Sequence, residues 1–205
     1  MKKEDLKTIV SISIAIASTI AIVYLFVLNK SVELSNLIRG VSFGLSITTI
    51  FWTFYFSYGW KWPLLNSIFY RPDLNGTWSS ELISDWKSEN GDSIPPITFY
   101  IVIRQSFLRI HFTTFTKSFV GTSYSETFSL KKHTGLKNVS YLYRKDTSQN
   151  NCEVLHEGAT ELRLIEAESK ILQGKYWSNK KTNGSIKVTW VSKQHLDSFD
   201  QAIKL

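Results

Sequence analysis

Arginines and aromatic residues recur inside short apolar runs of this chain, and they are its best candidates for chemistry. The run 97–105 (ITFYIVIRQ) carries Tyr100 and Arg104. The run 107–116 (FLRIHFTTFT) carries Arg109. The run 137–145 (KNVSYLYRK) carries Tyr141, Tyr143 and Arg144, and Trp177 and Trp190 sit in two later runs. A guanidinium presents a planar fork of donors that matches phosphate. Tyrosine and tryptophan offer flat faces on which a base can stack. Brought together in a cavity, Tyr100, Arg104, Arg109, Tyr141, Tyr143 and Trp177 would suit a planar anionic ligand. The competing reading is that the arginines face solvent and the aromatics pack in a core. Alternation along a strand places Arg104 with Thr98, Tyr100 and Val102, opposite Ile97, Phe99, Ile101 and Ile103. It places Tyr141 and Tyr143 with Val139, opposite Ser140, Leu142 and Arg144. Both faces are partly apolar, so alternation alone leaves open which face points inward.

Catalytic patterns are missing from the sequence. The four histidines, at 111, 133, 156 and 195, show no H-E-x-x-H spacing, and Cys152 is the single cysteine. No phosphate loop, dinucleotide fingerprint or G-x-S-x-G elbow occurs. The expectation is a protein that is not an enzyme and holds no metal or cofactor. Nucleic acid is not an expected partner. The acidic residues read as solubilising charges within a chain of net charge +7.

The elements that must position the aromatics begin at Asp73. Eight short apolar or alternating runs follow, at 76–84, 97–105, 107–116, 119–130, 137–145, 157–167, 170–178 and 185–192. Most connections are tight, which favours antiparallel hairpins. Long amphipathic helices between the runs are absent, which excludes a doubly wound α/β fold. Closing eight strands into a barrel removes exposed edges and leaves room for packed side chains or one small ligand. Gly76-x-Trp78 is similar to the first-strand signature of lipocalin-like barrels, in which the tryptophan plugs one end. The expected fold is an eight-stranded antiparallel barrel of this kind with a small lumen, over residues 73–205.

Residues 1–72 read differently. Windows 9–28 and 40–59 each hold twenty uncharged, largely apolar residues, enough for a helix to cross a core roughly 30 Å thick. The linker 63–72 is bracketed by Pro63 and Pro72. Lys2, Lys3 and Lys7 precede the first span and Lys61 and Arg71 follow the second, against Lys30 and Arg39 between them. The positive-inside rule then puts both termini and the barrel in the cytoplasm. Tyr58, Trp60 and Trp62 fit an interfacial aromatic belt. Small residues form stripes: Gly40-x-x-x-Gly44, Ser42-x-x-x-Ser46, and Ser11, Ala15 and Thr19. Such stripes let helices approach closely, within one chain or between chains.

Two spans followed by Asp73-Leu74-Asn75-Gly76-Thr77-Trp78 and a β-only domain resemble the Cap15-type CBASS effectors. These are the two-span, β-strand-rich effectors of bacterial anti-phage cyclic-oligonucleotide signalling. The Leu172–Ser178 stretch (LQGKYWS) is compatible with that family. The resemblance implies that the barrel binds a cyclic dinucleotide made by a partner nucleotidyltransferase, which need not touch the effector. The membrane part would then self-associate in the bacterial inner membrane and disrupt it, causing growth arrest or cell death. The alternative is a constitutive membrane-tethered adaptor whose barrel binds a protein or a lipid.

Overall fold

The computed structural model describes residues 3–131, 135–145, 156–166 and 169–204. Lys2, His133 and Cys152 lie outside them. The chain divides into two compact units. The first comprises Met1–Asp73 with Ser106–Leu108, and the second Leu74–Gln105 with Arg109–Leu205.

The first unit is built on two helices, α1 (Lys3–Val27) and α2 (Leu34–Ser57), both long and apolar enough to cross a membrane. Ile14, Ile22, Phe26, Ile38, Phe43 and Ile50 point outward from them, an apolar surface that lipid satisfies better than water. Asn29, in the left-handed region at φ 50°, ends α1. The Lys30 N–H then reaches back to the Leu25 carbonyl at 3.0 Å, a Schellman-type stop. Helix α2 starts six residues before the uncharged window, with Arg39 inside it. Hydropathy marks what lipid tolerates, whereas backbone hydrogen bonding sets where a helix begins.

The two helices pack through the glycine stripe. Gly40, Gly44, Thr48 and Trp52 form the buried line of α2. Gly40 lies over Ala21 and Gly44 over Ala17. The Trp52 indole N–H donates to Ser13 Oγ at 2.8 Å, and Ser13 Oγ donates to the Ile9 carbonyl. Gly40 and Gly44 are therefore used within one chain. Ala15, with Ser11 and Thr19, and Ser42 with Ser46 lie on exposed faces; Ser46 Oγ bonds back to the Ser42 carbonyl.

A 3₁₀ turn (Gly59–Lys61) and the short helix α3 (Pro63–Asn66) follow. Tyr58 and Trp62 are exposed there, as an interfacial belt requires. Trp60 departs from that expectation, at 1% exposure. It belongs to an aromatic cluster with Trp52, Tyr55 and Phe107, packed by Phe56 and Phe69. Arg71 stacks its guanidinium 4.8 Å from the Phe107 ring centre and donates to the Phe107 carbonyl.

The second unit is a closed barrel of eight antiparallel strands in sequence order. They are β1 (Gly76–Ser84), β2 (Ile97–Gln105), β3 (Ile110–Phe115), β4 (Val120–Lys131), β5 (Leu136–Lys145), β6 (Glu157–Glu166), β7 (Lys170–Ser178) and β8 (Asn183–Ser192). Strand β3 is shorter than the run 107–116, because Phe107 groups with the first unit. Pairing of β1 with β8 closes the ring. A short helix, α4 (Phe199–Ala202), follows, and Ser198 caps it by accepting from the Gln201 N–H at 3.2 Å.

The Leu74–Trp78 motif leads into β1 and is anchored in the barrel core. The Asn75 side chain imitates a strand residue: its Oδ1 accepts from the Gln105 N–H at 2.8 Å and its Nδ2 donates to the Gln105 carbonyl at 3.0 Å. Gly76 adopts φ 121°, and a side chain there would overlap the Ser192 carbonyl, so only glycine fits. Trp78 is fully buried and its indole N–H donates to the Leu74 carbonyl at 2.9 Å. Ile101, Ile103, Phe112, Leu162, Leu172 and Val188 complete the packed core around it.

Candidate functional site

Register settles which face is the lumen. Trp78 opposes Ile101 and Trp190, Ile103 opposes Phe112, and Val139 opposes Leu162. All belong to the core or pack against it. Residues in step with them therefore point inward. On β5 these are Tyr141, Tyr143 and Lys145; on β6, Thr160; on β7, Tyr176; on β2, Phe99.

These inward residues line a cavity of about 920 Å³, open at the end of the barrel away from Trp78. Its depth is tyrosine-rich. Tyr141 stacks on Phe112 at 4.2 Å with an interplanar angle of 11°. Tyr143 follows, its ring centre 6.3 Å from that of Tyr141, and packs over Gly158, where a side chain would collide with its hydroxyl. Burial raises both phenols above their usual range, opposed at Tyr141 by its bond to Thr160 and reinforced at Tyr143 by Tyr176. Both remain neutral donors at physiological pH.

The mouth carries Lys117, Phe119, Lys145 and His156 on the β3-to-β6 side. Lys145 Nζ sits 3.7 Å from the Phe119 ring centre, a cation–π contact. Burial, with a smaller push from Lys180, lowers the Lys145 ammonium to about 8. Burial, then Lys145 and Lys180, lower the His156 imidazole to about 4.

Of the six ligand candidates, Tyr141 and Tyr143 line the lumen. Tyr100 touches the cavity rim, but its ring lies on the outer face against Phe199, edge-on at 5.6 Å. Arg104 is also on the outer face and pairs with Asp197 at 3.2 Å. Arg109 is exposed and does not line the cavity. Trp177 is half-exposed on the outer face of β7. Arg144, also weighed as a candidate, pairs outside the barrel with Glu157 at 2.7 Å. The cationic residues that line the cavity with the tyrosines are Lys117 and Lys145, not arginines. Extending the Tyr141, Tyr143 alternation by one more step reaches Lys145.

A second polar cluster was not legible in the sequence. Ser123 Oγ and Glu126 Oε1 both lie 3.1 Å from His111 Nδ1, beside the bulge at Ser123–Ser125. A hydrolytic triad needs serine and carboxylate on different imidazole nitrogens, so this cluster does not have triad geometry. Ser123 Oγ instead accepts from the Phe112 N–H at 2.9 Å and steadies the bulge.

Residues 69–190 match the family model described as Cap15, cyclic dinucleotide receptor domain. No curated protein matches the chain. The matched region covers more than half of the 205 residues and contains the whole tyrosine ladder, Lys145 and the Leu74–Trp78 motif. A closed eight-stranded barrel, two apolar helices and this match agree, and the chain belongs to the Cap15 family.

Proposed function

We propose that the barrel binds a cyclic dinucleotide in its lumen, as a lipocalin-like cup, and that the bound chain then self-associates in the bacterial inner membrane and disrupts it. The observation that carries this reading is the cavity: a ladder of neutral tyrosines and a cationic mouth, inside a domain of a cyclic dinucleotide receptor family. Its volume falls in the range of roughly 300–1,000 Å³ typical of small-molecule sites. Tyrosine faces accept bases and phenol hydroxyls donate to base edges or phosphate. In this reading the protein is a receptor and effector rather than an enzyme, and a nucleotidyltransferase elsewhere supplies the ligand. Lys7 near the start of α1, and Lys61 and Arg71 after α2, favour cytoplasmic termini and a cytoplasmic barrel.

A ligand activates only through a difference in affinity between resting and active states. The measurement is therefore twofold: binding to purified full-length protein in detergent, and dye release from vesicles that carry it. The panel is cyclic di-AMP, cyclic di-GMP, cyclic GMP–AMP and cyclic di-UMP. At least one member should raise the melting temperature and trigger release. Tyr143→Ala should weaken that binding about 5- to 150-fold, the loss of one stacking face at about 1–3 kcal/mol. Trp177→Ala, on the outer face, should leave affinity unchanged. Failure of every panel member to bind would return the barrel to the adaptor reading.

A further inference from the structure

The mouth of the cavity is chemically lopsided. Trp86 and Ile94, between β1 and β2, form an apolar side. Four strands further around the ring, Lys145 ends β5 and His156 precedes β6, with Lys117 from the β3–β4 turn beside them. Lys180, in the β7–β8 turn, acts on both Lys145 and His156. Among the described residues, the charged group acting on Lys145 is thus another cation, and its ammonium rests on the Phe119 ring. Like charges gathered at a partly buried site repel one another, and a bridging anion relieves that cost. Lys145 stands one two-residue step, about 6.8 Å, beyond Tyr143 on the same inward face. A phosphate held at Lys145 therefore directs its attached nucleoside toward the tyrosines.

We propose that Lys145 is the phosphate anchor of the cavity, supported by Lys180 and His156, and that capture of the phosphodiester draws a proton onto the protein. This rests on the cavity being the cyclic dinucleotide site. Among the described residues, the titratable and cationic groups around Lys145 are Tyr143 on its own strand, Tyr176 on β7, Lys117, His156 and Lys180. Burial keeps Tyr143 neutral throughout, and His156 is already neutral well below pH 7. Lys145 is the group that changes charge near pH 8. The phosphodiester favours the charged ammonium and raises its pKa. Free Lys145 is almost fully charged at pH 7 and about one part in eleven at pH 9, so affinity should fall about tenfold between them.

The test is calorimetry on full-length protein in detergent, with the tightest binder of the four-member panel. Titrations at pH 8 in Tris and in HEPES, which differ in ionisation heat, count the protons exchanged. The wild type should take up about half a proton per ligand and show the tenfold decline from pH 7 to pH 9. Lys145→Arg should keep binding but lose both proton uptake and the decline. Lys145→Met should bind at least about tenfold more weakly at pH 7 and take up no proton. Undiminished uptake in Lys145→Arg, or wild-type affinity in Lys145→Met, would overturn the anchor while leaving the cavity reading in place. A wild type that binds no panel member overturns the cavity reading, and the anchor with it.

Discussion

Trp78→Ala should lower the melting temperature of the barrel by about 10–20 °C. The indole is fully buried among the residues that fill the lumen. Deleting a buried tryptophan costs about 3–5 kcal/mol, through lost apolar burial and the cavity left behind. For a domain of this size each kcal/mol moves the midpoint by roughly 3–5 °C. A second loss adds to the first: the Leu74 carbonyl, itself buried, loses the indole donor at 2.9 Å. Trp78→Phe separates the two contributions, since it keeps most of the ring and removes the donor, and should cost about 1–3 kcal/mol. Trp177→Ala is the control. That side chain is 50% exposed, and its loss should stay within about 0.5 kcal/mol. The measurement is thermal unfolding of the full-length protein in detergent, followed by near-ultraviolet circular dichroism. Equal midpoints for the wild type and Trp78→Ala would remove the tryptophan from any role as a plug.

The strands were legible because a half-buried strand alternates and its turns are rich in glycine, asparagine and serine. The inward face was not, and β2 shows why. Its outer face carries Val102 at zero exposure and Tyr100 against Phe199. The segment after β8 covers that face: His195 Nε2 lies 3.1 Å from the Ile103 carbonyl, and Asp197 pairs with Arg104. A strand covered on both sides is apolar on both sides, and its alternation then says nothing about the lumen. Arg104 looked available for a ligand because its partner stands 93 residues away, beyond any local pattern. The same limit applies to Phe107. Its neighbours suggest the start of β3, but long-range contacts place it in an aromatic cluster with Trp52 and Trp60. Tyr141 and Tyr143 could be picked out together because they share one strand and one face. The Leu74–Trp78 motif was legible as a barrel entry, while the Asn75 mimicry of a strand residue required knowing that Gln105 lies opposite.

The glycine stripe was legible as a close-approach surface, but its partner was not, and that difference decides the second large prediction. A methyl group built on Gly44 would come 2.5 Å from the Ala17 carbonyl oxygen and 3.0 Å from Ala17 Cα. Both are backbone atoms, so no side-chain rotation relieves the clash. Gly44→Leu must therefore force α1 and α2 apart at their crossing, at a cost of about 1–3 kcal/mol or more, and weaken the neighbouring Trp52–Ser13 hydrogen bond. In vesicles, ligand-triggered dye release should fall at least about tenfold. Cyclic dinucleotide affinity should match the wild type, because every residue lining the cavity belongs to the other unit. Ser46→Leu supplies the contrast. Ser46 is exposed and its hydroxyl bonds within its own helix, so leucine there leaves the intrachain hairpin intact and changes only an outward face. If chains assemble through that face, Ser46→Leu also abolishes release and removes the ligand-dependent oligomer seen by cross-linking. Release by Ser46→Leu at the wild-type level excludes the Ser42–Ser46 face from assembly. Wild-type release by Gly44→Leu would mean that hairpin packing is irrelevant to the output, contrary to a role for the two helices as a packed unit.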